Sequence, residues 1–202
     1  MSGASAFIPA GKPSLHPGAR PLIRPADAAD IVQVQAIYAH HVLHGTASFE
    51  EEPPDIAEMT TRWQALVERD LPYLVAERGD HIVGFAYAGP FRPRNAYRYT
   101  LEDSIYVHPQ ATGQGVGRAL MGDLIARVTA LGYRQLIAVI GDAANTSSIA
   151  LHASYGFVEA GRLLNTGFKF NRWLDVVFMQ KALGADTDDA RSAPAPTPRR
   201  EP

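Results

Sequence analysis

The sequence predicts an α/β (α+β) fold: one mixed, mostly antiparallel sheet of about six to seven strands, with a central β-α-β unit and flanking helices. Three observations lead there. Ile105 and Val107 alternate with Ser104 and Tyr106 as a strand requires, and the chain then passes Gly113, Gly115 and Gly117 into a helical stripe of Val116, Leu120, Leu124, Val128 and Leu131. A second strand pattern, Gln135 to Ile140, follows that helix, so the crossover implies a parallel pair. Upstream, Tyr73-Leu-Val-Ala-Glu and His81-Ile-Val-Gly-Phe-Ala-Tyr-Ala flank Arg78-Gly79-Asp80, the pattern of an antiparallel hairpin turning near the glycine.

The remaining elements follow in order. Residues 1–19 are rich in Gly, Ala, Ser and Pro without periodicity, and 184–202 are rich in Ala, Asp and Pro, so both tails are expected to be disordered around a domain at 20–183. Leu22-Ile-Arg-Pro-Ala reads as a first strand. Asp27 is placed to cap a helix that turns Ile31, Val34, Ile37, Tyr38 and Val42 inward. Asp55 starts a second helix carrying Met59, Trp63, Leu66 and Val67, which ends before Pro72. The loop from Gly89 leads to a long strand over Ala96 to Val107. Gly132 suits the C-terminal cap of the central helix, Asn145 begins a short helix ending near Tyr155-Gly156, and two strands close the domain, Phe157 to Leu164 and Leu174 to Gln180.

Composition narrows the function classes. With 202 residues and 46% hydrophobic content the chain can bury a substantial core. A net charge of −2 with no long basic block argues against nucleic acid or an anionic membrane as partner and for a small molecule. There is no cysteine, hence no disulfide, no cysteine-based zinc site and no thiol nucleophile. No run approaches the roughly 20 apolar residues of a membrane span, and the N-terminus lacks a signal-type apolar stretch, so a cytoplasmic location is expected.

The glycine turn carries the function. Its bared N–H groups at the positive end of a helix suit a phosphate. A P-loop requires Gly-Lys-Ser/Thr, whereas Gly117 is followed by Arg118 and Ala119. A dinucleotide fingerprint from Gly113 requires glycine at 118 and an acidic residue near Ala138 and Val139; neither is present. The segment Val-x-Pro-x-x-x-Gly-x-Gly-x-Gly-x-Ala-Leu, from Val107 to Leu120, resembles the acetyl-CoA pyrophosphate motif of the GNAT superfamily of N-acetyltransferases. Asn145 to Phe157 is similar to that superfamily's helix beside the pantetheine arm, with His152 where many members carry tyrosine. Gly89 to Val107 and Gly167-Phe-Lys resemble segments of its phosphinothricin and methionine sulfoximine N-acetyltransferase branch. One departure stands out: Thr112 occupies the place where the motif usually has glutamine or arginine, with Arg118 as a compensating cation.

The resemblance implies a GNAT fold, acetyl-CoA as co-substrate, direct transfer to the α-amine of a small amino-acid analogue, and a homodimer. It places the cofactor on Tyr106, Val107, Thr112, Gly113, Gln114, Gly115, Val116, Gly117, Arg118, Asn145 and Ser148. Glu102 is the expected general base, and a backbone N–H near Val107 the group that polarises the acetyl carbonyl. His152 is expected near the sulfur, either protonating the thiolate or sharing the deprotonation, with Tyr155 as a second acid. Arg94 is expected as the cation for the substrate carboxylate and Tyr97 as an aromatic wall, with Phe49, Glu52 and Lys169 completing the pocket, while Arg92 and Arg98 read as solvated. His40, His41 and His44 lie at helical spacing but lack an acidic partner, so no metal is expected there and the cluster reads as a partly solvated helix end. Two rival readings remain: another amine acceptor, such as a polyamine, an aminoglycoside or a protein N-terminus, and a non-catalytic CoA-binding module.

Overall fold

The structure, a computed structural model, describes residues 20–184. The tails 1–19 and 184–202 lie outside these residues except for Gly184. The chain enters through β1 (Leu22–Pro25), makes a 3-10 turn at Ala28–Asp30 and continues as α1 (Ile31–His44). Asp27 accepts from the Ala29 N–H, and Asp30 accepts back from the Asp27 N–H, so two donors at the helix start are satisfied reciprocally. Helix α2 (Ile56–Val67) begins where Asp55 accepts from the Glu58 N–H at 2.8 Å. Of its expected inward residues Met59 is buried, but Val67, in the last turn, is exposed.

Strands β2 (Tyr73–Arg78) and β3 (His81–Pro90) form the expected antiparallel hairpin. The next strand, β4, spans Thr100–Val107 rather than starting at Ala96. Local bonds from the Tyr97 N–H to Arg94 O and from the Arg98 N–H to Asn95 O close a 3-10 turn over Asn95–Tyr97 instead. Helix α3 (Val116–Ala130) leads to β5 (Gln135–Gly141), and α4 (Thr146–Ala153) precedes a long hairpin of β6 (Val158–Lys169) and β7 (Arg172–Ala182). The sheet order is β1-β2-β3-β4-β5-β7-β6, with the parallel pair at β4 and β5 as the crossover requires.

Alternation along the strands divides the core into two layers. Tyr73, Val75, Phe85 and Tyr106 face α1 and its residues Ile31, Val34, Ile37, Tyr38 and Val42. On the opposite face Leu74, Ala86, Leu101 and Leu136 pack against Val116, Leu120, Leu124 and Val128 of α3. The first turn of α3 approaches β3 closely at Gly84, where an added Cβ would lie 2.9 Å from Val116 Cγ1 and 3.0 Å from Tyr106 O. Gly117 belongs to this helix rather than to the turn, and a Cβ there would lie 3.3 Å from Leu151 of α4.

The β4–β5 ladder is short. It runs only from Thr100 opposite Gln135 to Asp103 opposite Ala138, after which the strands part. Because Gly84 sets the height of α3 above this opening, Gly84→Ala should lower stability by about 1–3 kcal/mol through overpacking. Chemical denaturation measures this, and a wild-type midpoint would show that the contact relaxes freely.

Candidate active site

Where β4 and β5 part, a cleft of about 650 Å³ opens between them, α3 and α4. One end is the glycine turn. Gly113 and Gly115 have φ of 73° and 79°, a region closed to most side chains, and each has open space where a Cβ would be. The first hydrogen bond of α3 runs from the Ala119 N–H to Gly115 O at 3.0 Å, so the amides of Val116, Gly117 and Arg118 precede the helical ladder. Gly113, Gly115, Val116, Gly117 and Arg118 all line the cleft, a set of donors at a helix N-terminus that fits a pyrophosphate.

The middle of the cleft is strand backbone. The His108 N–H reaches Val83 O on β3 at 2.9 Å, so the Val107 N–H and C=O point the other way, into the opening. His41 lines the same cleft and satisfies that carbonyl, with Nε2–H donating to Val107 O at 2.9 Å. Burial lowers the His41 pKa against the bond to Val107, which favours the neutral ring. The Val107 N–H is left facing the cleft. His41 is thus a built part of the site rather than a solvated helix end; its position four residues after buried Ile37 was the available signal.

The far wall holds a pair that the sequence reading only half identified. His152 is 4% exposed and its Nε2 lies 2.9 Å from Oδ2 of Asp103, itself 6% exposed. Its Nδ1 lies 2.7 Å from Ser148 O. A carbonyl only accepts, so Nδ1 carries a proton, and a second proton must sit between Nε2 and the carboxylate. Burial works against a charged ring. Asp103, by hydrogen bond and by charge, together with the Ser148 carbonyl outweighs it, and the His152 pKa is raised. The shared proton is thus held on the His152 ring more tightly than on an ordinary imidazole. Both ring nitrogens are engaged, one of them on a carbonyl of its own helix. Asp103 was missed although it interrupts an apolar face between Leu101 and Ile105.

Glu102 stands on the other face of β4, beside Ser104 and Tyr106 in the alternation. Burial raises its pKa, Arg92 opposes the rise and Asp103 adds to it. Arg92 itself is exposed, as the sequence reading expected, and lies over the Phe91 ring. Arg94 is exposed at the same loop, and Tyr97 packs edge-on against Phe91 with centroids 5.8 Å apart.

Tyr106, Val107, Thr112, Asn145 and Ser148 line the cleft with the glycine turn, so every expected cofactor residue except Gln114 gathers there. Gln114 turns away toward Arg78 and Gln110. Thr112 spends its hydroxyl on Pro109 O, and Tyr155 donates to Arg118 O at 2.6 Å rather than facing the cleft. Lys169 is a strap: 3% exposed, it donates to Gly45 O at 3.0 Å and Ser48 O at 2.7 Å, tying down the loop that borders the cleft. Phe49 wedges between Gly141 and Gly167, and Glu52 is exposed. Asp142, with φ of 68°, joins Thr46, Arg172 and the Ala144 N–H at the cleft's end, a junction without a sequence signal.

Comparison with known proteins identifies the family and the fold. Residues 34–157 match the model of the Acetyltransferase (GNAT) family. A phosphinothricin N-acetyltransferase of Alcaligenes faecalis is 57% identical over 77% of this chain and 79% of its own length. The L-methionine sulfoximine/L-methionine sulfone acetyltransferase of Salmonella typhimurium is 38% identical over 80% of this chain and 94% of its own. A crystal structure of a GNAT superfamily phosphinothricin acetyltransferase from Sinorhizobium meliloti in complex with AcCoA superposes with a TM-score of 0.80 at 48% identity, covering 82% of this chain and 90% of that one.

The buried pair makes a measurable prediction. A raised His152 pKa stabilises the fold below the ring's unfolded value, and that contribution disappears as pH rises through the folded value. In Asp103→Asn, burial acts almost unopposed, so the imidazole titration followed by NMR should move down, below the ordinary histidine value. A midpoint that stays raised would remove the ion pair.

Proposed function

The chain belongs to the Acetyltransferase (GNAT) family, and from that premise we propose that it transfers an acetyl group from acetyl-CoA to the α-amine of a small amino-acid analogue of the phosphinothricin, methionine sulfoximine or methionine sulfone kind. The observation that carries the reading is the opening between β4 and β5. A phosphate-suited turn and an ion pair lie on one face of β4 and a half-buried carboxylate on the other. Donor and acceptor can thus meet from opposite faces of one sheet, as direct transfer in a ternary complex requires.

Acetyl-CoA supplies the activated acetyl thioester. The amides of Gly113 to Arg118 hold its pyrophosphate and the positive end of α3 favours the charge. Asn145 and Ser148 border the path of the pantetheine arm. The Val107 N–H, fixed by the bond from His41 to the same residue's carbonyl, donates to the acetyl oxygen as it gains charge, a contribution of about 10²- to 10³-fold for one such donor. Glu102, its pKa raised by burial, takes the proton of the attacking amine directly or through water. His152, held charged by Asp103, opposes the negative charge that builds on the departing sulfur. With both nitrogens engaged it acts by its field, and handing over a proton would mean leaving Asp103. Arg94 receives the substrate carboxylate with Tyr97 as the aromatic wall beside it, and the charge of Arg92 moderates the rise at Glu102.

A homodimer belongs to the same reading. Strand β6 is a sheet edge, and its hairpin exposes Leu163, Leu164, Phe168, Phe170 and Trp173 on the described surface. A cytoplasmic setting accords with the lack of cysteine.

Glu102→Gln should lower kcat by about 10²- to 10⁴-fold with little change in acetyl-CoA affinity, measured by thiol release and calorimetry; undiminished turnover would remove the base. The acid limb of wild-type kcat/KM should lie above the ordinary glutamate value, since Glu102 works only when ionised, and Arg92→Ala should move it higher still. For Arg94→Ala the expected effect is a raised KM for the amino-acid substrate alone, and an unchanged value would sink the clamp. Leu164→Asp should shift the sedimenting species toward the monomer; a wild-type profile would place the dimer contact elsewhere.

A further inference from the structure

Behind the glycine turn, on the side away from the cleft, lies a buried cation with no carboxylate. Arg78 ends β2 and is 9% exposed. Among the described residues no acidic side chain forms an ion pair with it. Its guanidinium instead grips one residue twice, with Nη1 on Gln114 Oε1 and Nη2 on Gln114 main-chain O at 3.3 Å, and its Nε is buried without a partner. The grip extends further, because Gln114 Nε2 donates to Gln110 O at 2.7 Å. Desolvating a guanidinium without a counter-charge is expensive, and an apolar side chain of similar length would fill the space at lower cost.

The orientation of one peptide explains why a cation is useful there. A trans peptide is planar, and its C=O and N–H point in opposite directions. Gln114 O is turned back toward Arg78, so the Gly115 N–H is aimed forward, into the cleft that Gly115 lines. Among the described residues no backbone bond holds that peptide. It is bounded by Gln114 and by Gly115, whose φ is positive and whose surroundings are open, so on the glycine side it turns over readily when no partner fixes it. The exposed Arg118 of the turn leans on Ser154 and the Tyr155 ring, and Thr112 spends its hydroxyl on Pro109 O, so Arg78 is the cation that grips the turn's own backbone.

We infer that Arg78 is a positioning residue for the phosphate-bearing end of the acyl donor: it locks the Gln114–Gly115 peptide with its N–H toward the diphosphate and sets a positive charge one peptide behind that anion. The inference rests on the reading of the turn as the acetyl-CoA diphosphate cradle. It adds a residue that makes no contact with the donor and lies 34 positions before Thr112 in the chain.

The test compares two donors that share the thioester and differ in the phosphates. Steady-state kinetics are measured with acetyl-CoA and with S-acetylpantetheine, which has the pantetheine arm but no diphosphate, for wild type, Arg78→Met, Arg78→Lys and Gln114→Ala. Arg78→Met should raise the KM for acetyl-CoA about tenfold and leave the KM for S-acetylpantetheine in place, because only the phosphate end has lost its donor and its nearby charge. Arg78→Lys, which keeps the charge but not the two-point grip, should recover part of the loss. Gln114→Ala removes one arm of the grip and should show a smaller change in the same direction; it keeps the test alive if Arg78→Met does not fold. Equal changes on both donors would mean a merely structural role and overturn the inference, as would no change on either. If wild type itself has the same KM for both donors, the cradle reading fails and the inference falls with it. A wild type that discriminates, with variants that discriminate equally, refutes the role of Arg78 alone.

Discussion

The sheet gives up its own hydrogen bonds between β4 and β5 after Asp103 and Ala138, and the rest of the molecule is arranged around that loss. Unpaired strand backbone costs as much as any other buried polar group left without a partner, so an opening of this kind persists only where something else answers each group. His41 answers the Val107 carbonyl from α1. The Val107 N–H, on the same strand edge, is the group left facing the cleft, and in the proposed reaction the acetyl oxygen would answer it. The parting is also why the helices sit as they do: α3 must start close to the sheet to aim its amides into the gap, and Gly84 is the residue that lets it.

Charge placement follows the same logic. The cleft side of β4 carries a pair, Asp103 with His152, whose burial is tolerable because each partner compensates the other. The opposite side carries Glu102, which forms no ion pair among the described residues, and burial raises its proton affinity against the field of Arg92. Two carboxylates on adjacent residues of one strand thus acquire different chemistry from alternation alone. The rim is fastened by charges of a third sort. Lys169 closes on two carbonyls and Asp142 collects a hydroxyl, an arginine and an amide, so the loop beside the cleft is held at several points that make no contact with one another in sequence.

Much of this was legible in the chain itself. The order of strands, the parallel pair, the Asp27 and Asp55 caps and the glycine turn are local patterns, in which period, capping chemistry and positive-φ glycines leave little choice. The errors have local causes too. The strand start at Ala96 gave way to a 3-10 turn, because short-range bonds at Asn95–Tyr97 compete with extension. Gly117 read as a turn residue through its place in a glycine series, yet its own need is close approach between α3 and α4.

What the sequence by itself determined was which residues share a strand face, a helix stripe or a turn, and from the motif, the residues that line the cleft. Those properties depend on neighbours a few positions apart. Only the tertiary structure decided what each polar group faces: Asp103 on His152 across 49 positions, His41 on Val107 across 66, Lys169 on Ser48 across 121. A side chain's charge state and role are set by the partner that meets it after folding. Identity and spacing name the candidates, and burial with a specific partner selects among them.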